Sequence, residues 1–162
     1  NPDSVIIDID LPETISHAIP YISSLFPNAK ILMPNEANSN IKFDDYDFVF
    51  LTPQQLSLID DSIVDISINT HSFQEMTHQQ INDYFEFIQK VAKHNSYFFT
   101  ANRVEKIPSG NDSYINETKV PPNRFSEYPW NSMNQVVIFE ICKLFRLVQL
   151  DSIFNRLEII KK

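Results

Sequence analysis

The chain has 162 residues, 43% of them hydrophobic and 21% charged, so we expect a packed globular protein without extensive disorder. Its formal net charge of -8 disfavours nucleic acid and anionic membrane surfaces as partners, because both are negatively charged. No apolar run is long enough to span a bilayer and the one cysteine cannot form an internal disulfide, so the expected location is the cytoplasm.

Apolar periodicity predicts strands and helices that alternate along the chain. The predicted helix after Thr77 has Gln80 in the capping-box position. Pro20 is expected to kink or split the first helix, and residues 154–156 are expected to form a turn between two late strands. In chain order, the predicted elements are a strand at 4–10, a helix at 12–26, strands at 30–33 and 47–51, a short helix at 54–59, a strand at 64–69, a helix at 78–92, a strand at 96–100, and strands at 136–145 and 157–160.

This order predicts an α/β fold with a mainly parallel sheet, helices on both faces and a late antiparallel edge. Residues 1–162 are interpreted as one domain, with a Pro-, Asn- and Ser-rich excursion at about 105–132 that is long enough to act as a lid. The sequence has one glycine, Gly110, whereas an average protein has about 7% glycine and nucleotide-binding α/β domains use it beside their ligands. This scarcity suggests that a part of the usual fold is missing.

Three phrases of the sequence carry a family resemblance: IDIDLPE at 7–13, VDISINTHSFQEM at 64–76, and YFFTANRVEK at 97–106 followed by NRFSEYPW at 123–130. In this order they resemble the sugar O-methyltransferases, and the resemblance extends from Val5 to about residue 158. It implies a Rossmann-like methyltransferase sheet, S-adenosylmethionine as cofactor, and a sugar or glycan hydroxyl as acceptor.

The sequence departs from that family at its beginning. Only residues 1–4 precede the start of the resemblance at Val5, so we expect the first strand and its glycine-rich cofactor loop to be absent, and the chain alone to be inactive. Loss of the first strand would leave a gap at the centre of the sheet. Direct pairing of the second and fourth strands could close this gap, another chain could fill it, or the missing segment could be cut off or disordered. A homo-oligomer is therefore one expectation.

Candidate cofactor residues follow the predicted parallel strands, because ligands of open α/β sheets bind at the carboxyl ends of strands. The resemblance implies that Asp10 holds both ribose hydroxyls; the alternatives are a solvated or helix-capping Asp10, with Asp8 as the rival carboxylate. Gln54 could hydrogen-bond adenine or belong to a plain loop. Asn69 and Thr70 leave the fourth strand and are expected to line the cofactor and acceptor cleft.

Catalysis of methyl transfer to a hydroxyl needs an in-line approach and a base whose pKa lies near neutrality. His71 has the chemistry of that base. Glu75, four residues later, could orient His71 or replace it if the intervening loop turns helically. The alternative is a structural His71 that hydrogen-bonds to backbone.

Candidate acceptor-binding residues follow the fifth strand and lie in the excursion, where polar groups could meet sugar hydroxyls and aromatic rings could stack on a sugar. The excursion aromatics could instead simply pack onto the sheet. We predict no metal site. The acceptor candidates are Asn102, Arg103, Glu105, Arg124, Tyr128 and Trp130.

Two functions therefore follow from the sequence. The first is a methyltransferase fragment that acts on a small-molecule or glycan acceptor. The second is a non-catalytic, methyltransferase-like domain that serves as an interaction or scaffold piece. Because a fold does not determine a function, the sugar specificity rests on the resemblance alone.

Overall fold

The computed structural model of the protein describes residues 4–108, 121–142 and 153–162, together with the backbone of two short strands at 114–115 and 118–119. The chain folds as two compact units, Asn1–Asp60 and Asp61–Lys162.

The first unit contains a wholly parallel sheet with the strand order β1-β3-β2. Its central strand, β3, consists of large apolar residues, and Val49, Phe50 and Leu51 are all at most 1% exposed. Successive side chains of a strand point to opposite faces, so the burial of three in a row means that both faces of β3 are covered, which is why this segment is apolar without alternation. The elements are β1 (Ile6–Ile9), helix α1 (Pro12–Leu25), β2 (Ile31–Leu32) and β3 (Phe48–Leu51).

Helix α1 begins with Pro12 in its first turn and has Glu13 at the positive end of the helix dipole. It runs without interruption through Pro20, so the predicted split at this residue is wrong. Proline removes one backbone donor from a helix interior, and the helix tolerates that loss over its 14 residues. Ile15 is the buried residue of α1.

The second unit contains a four-stranded sheet with the order β10-β11-β5-β4. Strands β4 and β5 are parallel, and β11 and β10 continue the sheet as antiparallel strands, which confirms the predicted late antiparallel edge. The strands of this sheet are β4 (Val64–Thr70), β5 (Ala92–Arg103), β10 (Gln135–Ile141) and β11 (Ile153–Ile159).

The predicted turn at residues 154–156 is wrong, because these residues lie inside β11 and pair with residues 100–102 of β5. The end of the predicted strand at 143–145 lies outside the described residues. Parts of the excursion at 105–132 also lie outside them; the described parts form two short antiparallel pairs. The pairs are β6 (Glu105–Lys106) with β9 (Asn123–Arg124), and β7 (Tyr114–Ile115) with β8 (Thr118–Lys119).

Helix α2 (His78–Val91) connects the two parallel strands of the second unit. It begins with the predicted capping box, in which Thr77 Oγ1 accepts from the Gln80 amide at 3.3 Å and Gln80 Oε1 accepts from the Thr77 amide at 2.9 Å. Its apolar face buries Ile81, Phe85 and Val91. Neither helix of the described chain is long and apolar enough to cross a membrane.

The core of the second unit is a cluster of aromatic rings between α2 and the sheet. Phe73 lies at its centre, with ring centroids 5.4 Å from Phe85, 5.9 Å from Tyr128 and 6.4 Å from Phe98. Trp130 packs edge-on against Phe85 at 5.0 Å. Aromatic pairs prefer such tilted and edge-to-face arrangements, which add to the free energy gained from burial.

Candidate functional site

In the first unit, Asp10 lies at the carboxyl edge of the parallel sheet. Its amide donates to Leu51 O of the neighbouring strand β3 at 3.2 Å, and its Oδ1 accepts from the Leu11 amide at 2.7 Å. The second oxygen makes no hydrogen bond to the described residues. Burial, and then the charge of Asp10, raise the pKa of Asp8 above its usual value.

Gln54 follows β3 at the same edge, in a turn that spans Pro53–Leu58, and its side chain is exposed. The neighbouring Gln55, rather than Gln54, stabilises this turn, because the Thr52 amide and hydroxyl donate to Gln55 Oε1 at 3.0 and 3.1 Å. The structure therefore brings Asp10 and Gln54 to one edge of one sheet.

In the second unit, Asn69 and Thr70 are the last residues of β4, beside the parallel strand β5, and His71 follows them. Thr70 is paired with Ala101, and the His71 amide donates to Ala101 O at 2.8 Å. His71 has a φ of 62°, in the left-handed region that non-glycine residues seldom adopt. Its side chain is exposed. Strain of this kind persists where the surrounding structure determines the backbone, often at functional sites.

Asn102 follows Ala101 in β5 and is fully buried. Its Nδ2 donates to Asn69 Oδ1 at 2.9 Å and to Thr100 Oγ1 at 2.8 Å, and its Oδ1 accepts from the Gln74 amide at 3.3 Å. Asn69 Oδ1 also accepts from the Phe73 amide at 3.4 Å, and Asn69 Nδ2 donates to Ser72. These bonds fasten the turn after β4 to strand β5.

Gln74 and Asn123 complete this buried network, and both are 6% exposed. Gln74 Oε1 accepts from the Arg103 amide at 2.9 Å, and Asn123 Nδ2 donates to Phe73 O and Met76 O at 3.0 Å each. Neither residue was among the predicted site residues. The sequence did contain a hint of the role of Gln74, because this residue lies next to Phe73 in the phrase at 64–76 that resembles the methyltransferases. Its hydrogen-bond partners, however, are remote in sequence.

Glu75 pairs with Lys106 of β6 and accepts from Gln74 Nε2 at 3.2 Å. The turn that contains Glu75 is a three-residue 3-10 turn, Phe73–Glu75, and His71 precedes it with a left-handed backbone. The helical geometry that would align His71 with Glu75 is therefore not formed. The charged partner of Glu75 among the described residues is Lys106.

The β6–β9 ribbon carries two further predicted residues, Glu105 and Arg124. Arg124 Nε donates to Glu105 at 2.7 Å and its Nη1 donates to Glu127 at 3.0 Å. The hydrogen bonds to Glu127 and then to Glu105 raise the pKa of the Arg124 guanidinium above its usual value. The guanidinium is exposed and permanently charged, so it can meet an anionic or hydroxylated ligand.

Tyr128 and Trp130 lie in the aromatic cluster of the second unit. Tyr128 is 6% exposed, its hydroxyl has no hydrogen-bond partner among the described residues, and burial raises its pKa. Trp130 Nε1 donates to Phe125 O at 3.0 Å, and the Arg156 guanidinium lies 4.2 Å from the Trp130 ring centroid. Both aromatic residues thus pack the end of the excursion against the sheet.

In the described part of the chain, no group of three or more His, Cys, Asp or Glu side chains is arranged to hold a metal ion.

The comparison with known proteins found similarity in fold but not in sequence family. No model of a known protein family and no curated protein matches it. The PH0226 protein from Pyrococcus horikoshii OT3 matches 97% of this chain at 13% identity, with a TM-score of 0.56 and 72% of its own chain covered. A protein from work on the conversion of a disulfide bond into a thioacetal group during echinomycin biosynthesis matches 97% at 9% identity, with a TM-score of 0.57 and 66% covered. This chain shares their fold.

The likeness at these identities concerns the fold alone, and this chain spans just under two thirds of the second structure. The mixed α/β architecture, with its parallel strand pairs and few helices, is compatible with a Rossmann-like fold.

Proposed function

We propose that this chain is part of an S-adenosylmethionine-dependent O-methyltransferase that acts on a sugar or glycan hydroxyl. The observation that carries the proposal is the carboxyl edge of the first unit, where Asp10 and Gln54 follow adjacent parallel strands. Ligands of open α/β sheets bind at such edges. The acceptor class is supported by the resemblance of three sequence phrases to sugar O-methyltransferases.

The residues of the first unit fit the cofactor chemically. Asp10 has a carboxylate oxygen that the described residues leave unused, and it can accept hydrogen bonds from ribose hydroxyls. Gln54 is exposed and carries both a donor and an acceptor for the adenine edge. When bound, S-adenosylmethionine supplies the methyl group.

The residues of the second unit act on the acceptor in this proposal. His71 takes the proton of the acceptor hydroxyl, for which an imidazole has a suitable pKa range. Asn69 and Asn102 hold the turn that presents His71, and Glu75 pairs with Lys106. Arg103, Glu105 and Arg124 provide polar contacts to the acceptor.

The alternative is a non-catalytic domain that binds other proteins. The observation that favours it is the buried network, because Asn69 and Asn102 use their amide groups within the chain and Asn102 is fully buried. Cofactor binding separates the two functions.

The deciding experiment is a calorimetric titration of S-adenosylhomocysteine into the product of the complete gene. We expect a Kd in about the micromolar range, and Asp10→Ala to weaken binding at least about tenfold, or 1.4 kcal/mol. Asp44→Ala is the matched control, because it removes an exposed carboxylate from the same unit. Absence of binding by the unmodified product would exclude the enzyme and leave the interaction domain.

A further inference from the structure

A cleft of about 880 Å³ runs along α2 in the second unit, between that helix, the segment around residues 129–134 and the last residues of the chain. Its volume is that of a small-molecule site, for which about 300–1,000 Å³ is typical. The cleft contains none of the residues assigned to methyl transfer, so an inference from it goes beyond the proposed function.

The charges around this cleft balance. Three acidic and three basic side chains line it, so its lining has no formal net charge. Three of these charges already pair, since Lys90 Nζ lies 3.2 Å from Asp61 Oδ1 and the buried Glu158 pairs with Arg156. The charged lining residues are Asp61, Glu86 and Glu158 with Lys90, Lys161 and Lys162.

Carboxamides are the abundant polar groups of the cleft, and each offers both donors and an acceptor. A wholly apolar ligand would remove these groups from water without hydrogen bonds, which is unfavourable. A neutral ligand rich in hydroxyl groups satisfies them. The five carboxamides are Gln79, Asn82, Gln89, Asn131 and Asn134.

Two of the carboxamides are held in fixed orientations by the chain. Asn134 Nδ2 donates to Glu158 Oε2 at 3.1 Å and to Gln89 Oε1 at 3.3 Å. Gln89 Nε2 donates to Lys161 O at 2.9 Å, and Asn134 Oδ1 accepts from the Lys161 amide at 3.0 Å. Gln89 keeps one N–H and one carbonyl lone pair that the described residues leave unused. Such preorganised groups lose little conformational freedom when they bind.

Apolar surface lies beside the carboxamides. Met133 is 64% exposed and Pro129 is also exposed, whereas Phe85 and Phe98 are core residues that present little surface to the cleft. Sugar rings present C–H faces to apolar side chains and hydroxyls to polar ones. We propose that this cleft binds an uncharged oligosaccharide.

The test is a titration of the full chain with two uncharged trisaccharides, maltotriose and chitotriose. Trp130 is the one tryptophan of the chain and packs on Phe85, so its fluorescence reports on the cleft. We expect a saturable change with a Kd on the order of a millimolar or tighter for at least one of the two.

The variant for this test is Gln79→Ala with Asn82→Ala, because both side chains are exposed on α2 and their loss leaves the core intact. We expect the Kd to rise at least about tenfold. Asn40→Ala is the matched control and removes an exposed carboxamide from the first unit. A response to neither sugar, or equal affinity of variant and control, would overturn the proposal. Binding of S-adenosylhomocysteine is measured separately, so failure here leaves the methyltransferase proposal standing.

Discussion

Single residues of the first unit show how closely placed carboxyl groups affect each other. Asp8 is half-buried in β1, and its ionised form is disfavoured first by burial and then by the charge of Asp10. A carboxyl group whose pKa is raised on folding opposes folding when it is ionised.

We expect Asp8→Asn to stabilise the protein at about pH 7, where the ionised Asp8 is penalised in the folded state. The gain should shrink as the pH falls through the raised pKa, and it should vanish below the usual value of 3.8, where Asp8 is neutral in both states. Urea unfolding followed by circular dichroism at several pH values measures this. Asp44→Asn, at an exposed position, should give no such pH dependence.

Residue roles were harder to predict than residue positions. The sequence placed Asn102 after a strand, but it could not show that the side chain is fully buried and bonded to Asn69, which is 33 residues away. Likewise, the spacing of His71 and Glu75 suggested a shared helical face, whereas the backbone of His71 is left-handed and Glu75 pairs with Lys106. Such contacts depend on tertiary structure that local pattern does not encode.

Elements with strong local signals were predicted well. Helix α2 has an apolar face with the helical period and a capping box, and the structure contains both. Strand β11 was predicted only in part, because Asn155 is typical of turns rather than strands. Arg156 is compatible with a strand here because it stacks on Trp130 and pairs with Glu158.

The capping box of α2 gives a prediction at this scale. Thr77→Ala removes the hydroxyl that accepts from the Gln80 amide, and we expect a loss of about 1 kcal/mol in the free energy of unfolding. Denaturant unfolding followed by Trp130 fluorescence measures the second unit. Thr77→Ser keeps the hydroxyl and should retain most of the stability; an equal loss in both variants would show that the methyl group, not the cap, matters.

At the scale of the whole molecule, an ion pair lies within the sheet of the second unit. Glu158 is 1% exposed, and its Oε1 accepts from Arg156 Nε at 2.8 Å and Nη2 at 2.5 Å. Asn134 donates to the other carboxylate oxygen. Strand β11, the loop before β10 and the aromatic cluster meet at this pair, because Arg156 also lies over Trp130.

We expect Arg156→Ala to cost about 3–5 kcal/mol in unfolding free energy, because it leaves a buried carboxylate without its cation. Arg124→Ala removes an exposed ion pair and should cost far less. Chemical denaturation of both variants gives the comparison. Similar losses would mean that the buried pair contributes no more than the exposed one.

Strand β10 has a consequence for how the protein behaves in solution. It stands at the end of the described sheet, and Val136, Val137, Ile138, Phe139 and Ile141 are all at least 41% exposed. An exposed apolar strand at a sheet edge invites pairing with other chains. At neutral pH the net charge of -8 keeps molecules apart, but near the isoelectric point of about 4.8 that repulsion disappears. The colloidal stability of the protein should therefore depend on the pH of the solution, and we expect mildly acidic buffers to favour precipitation through this strand.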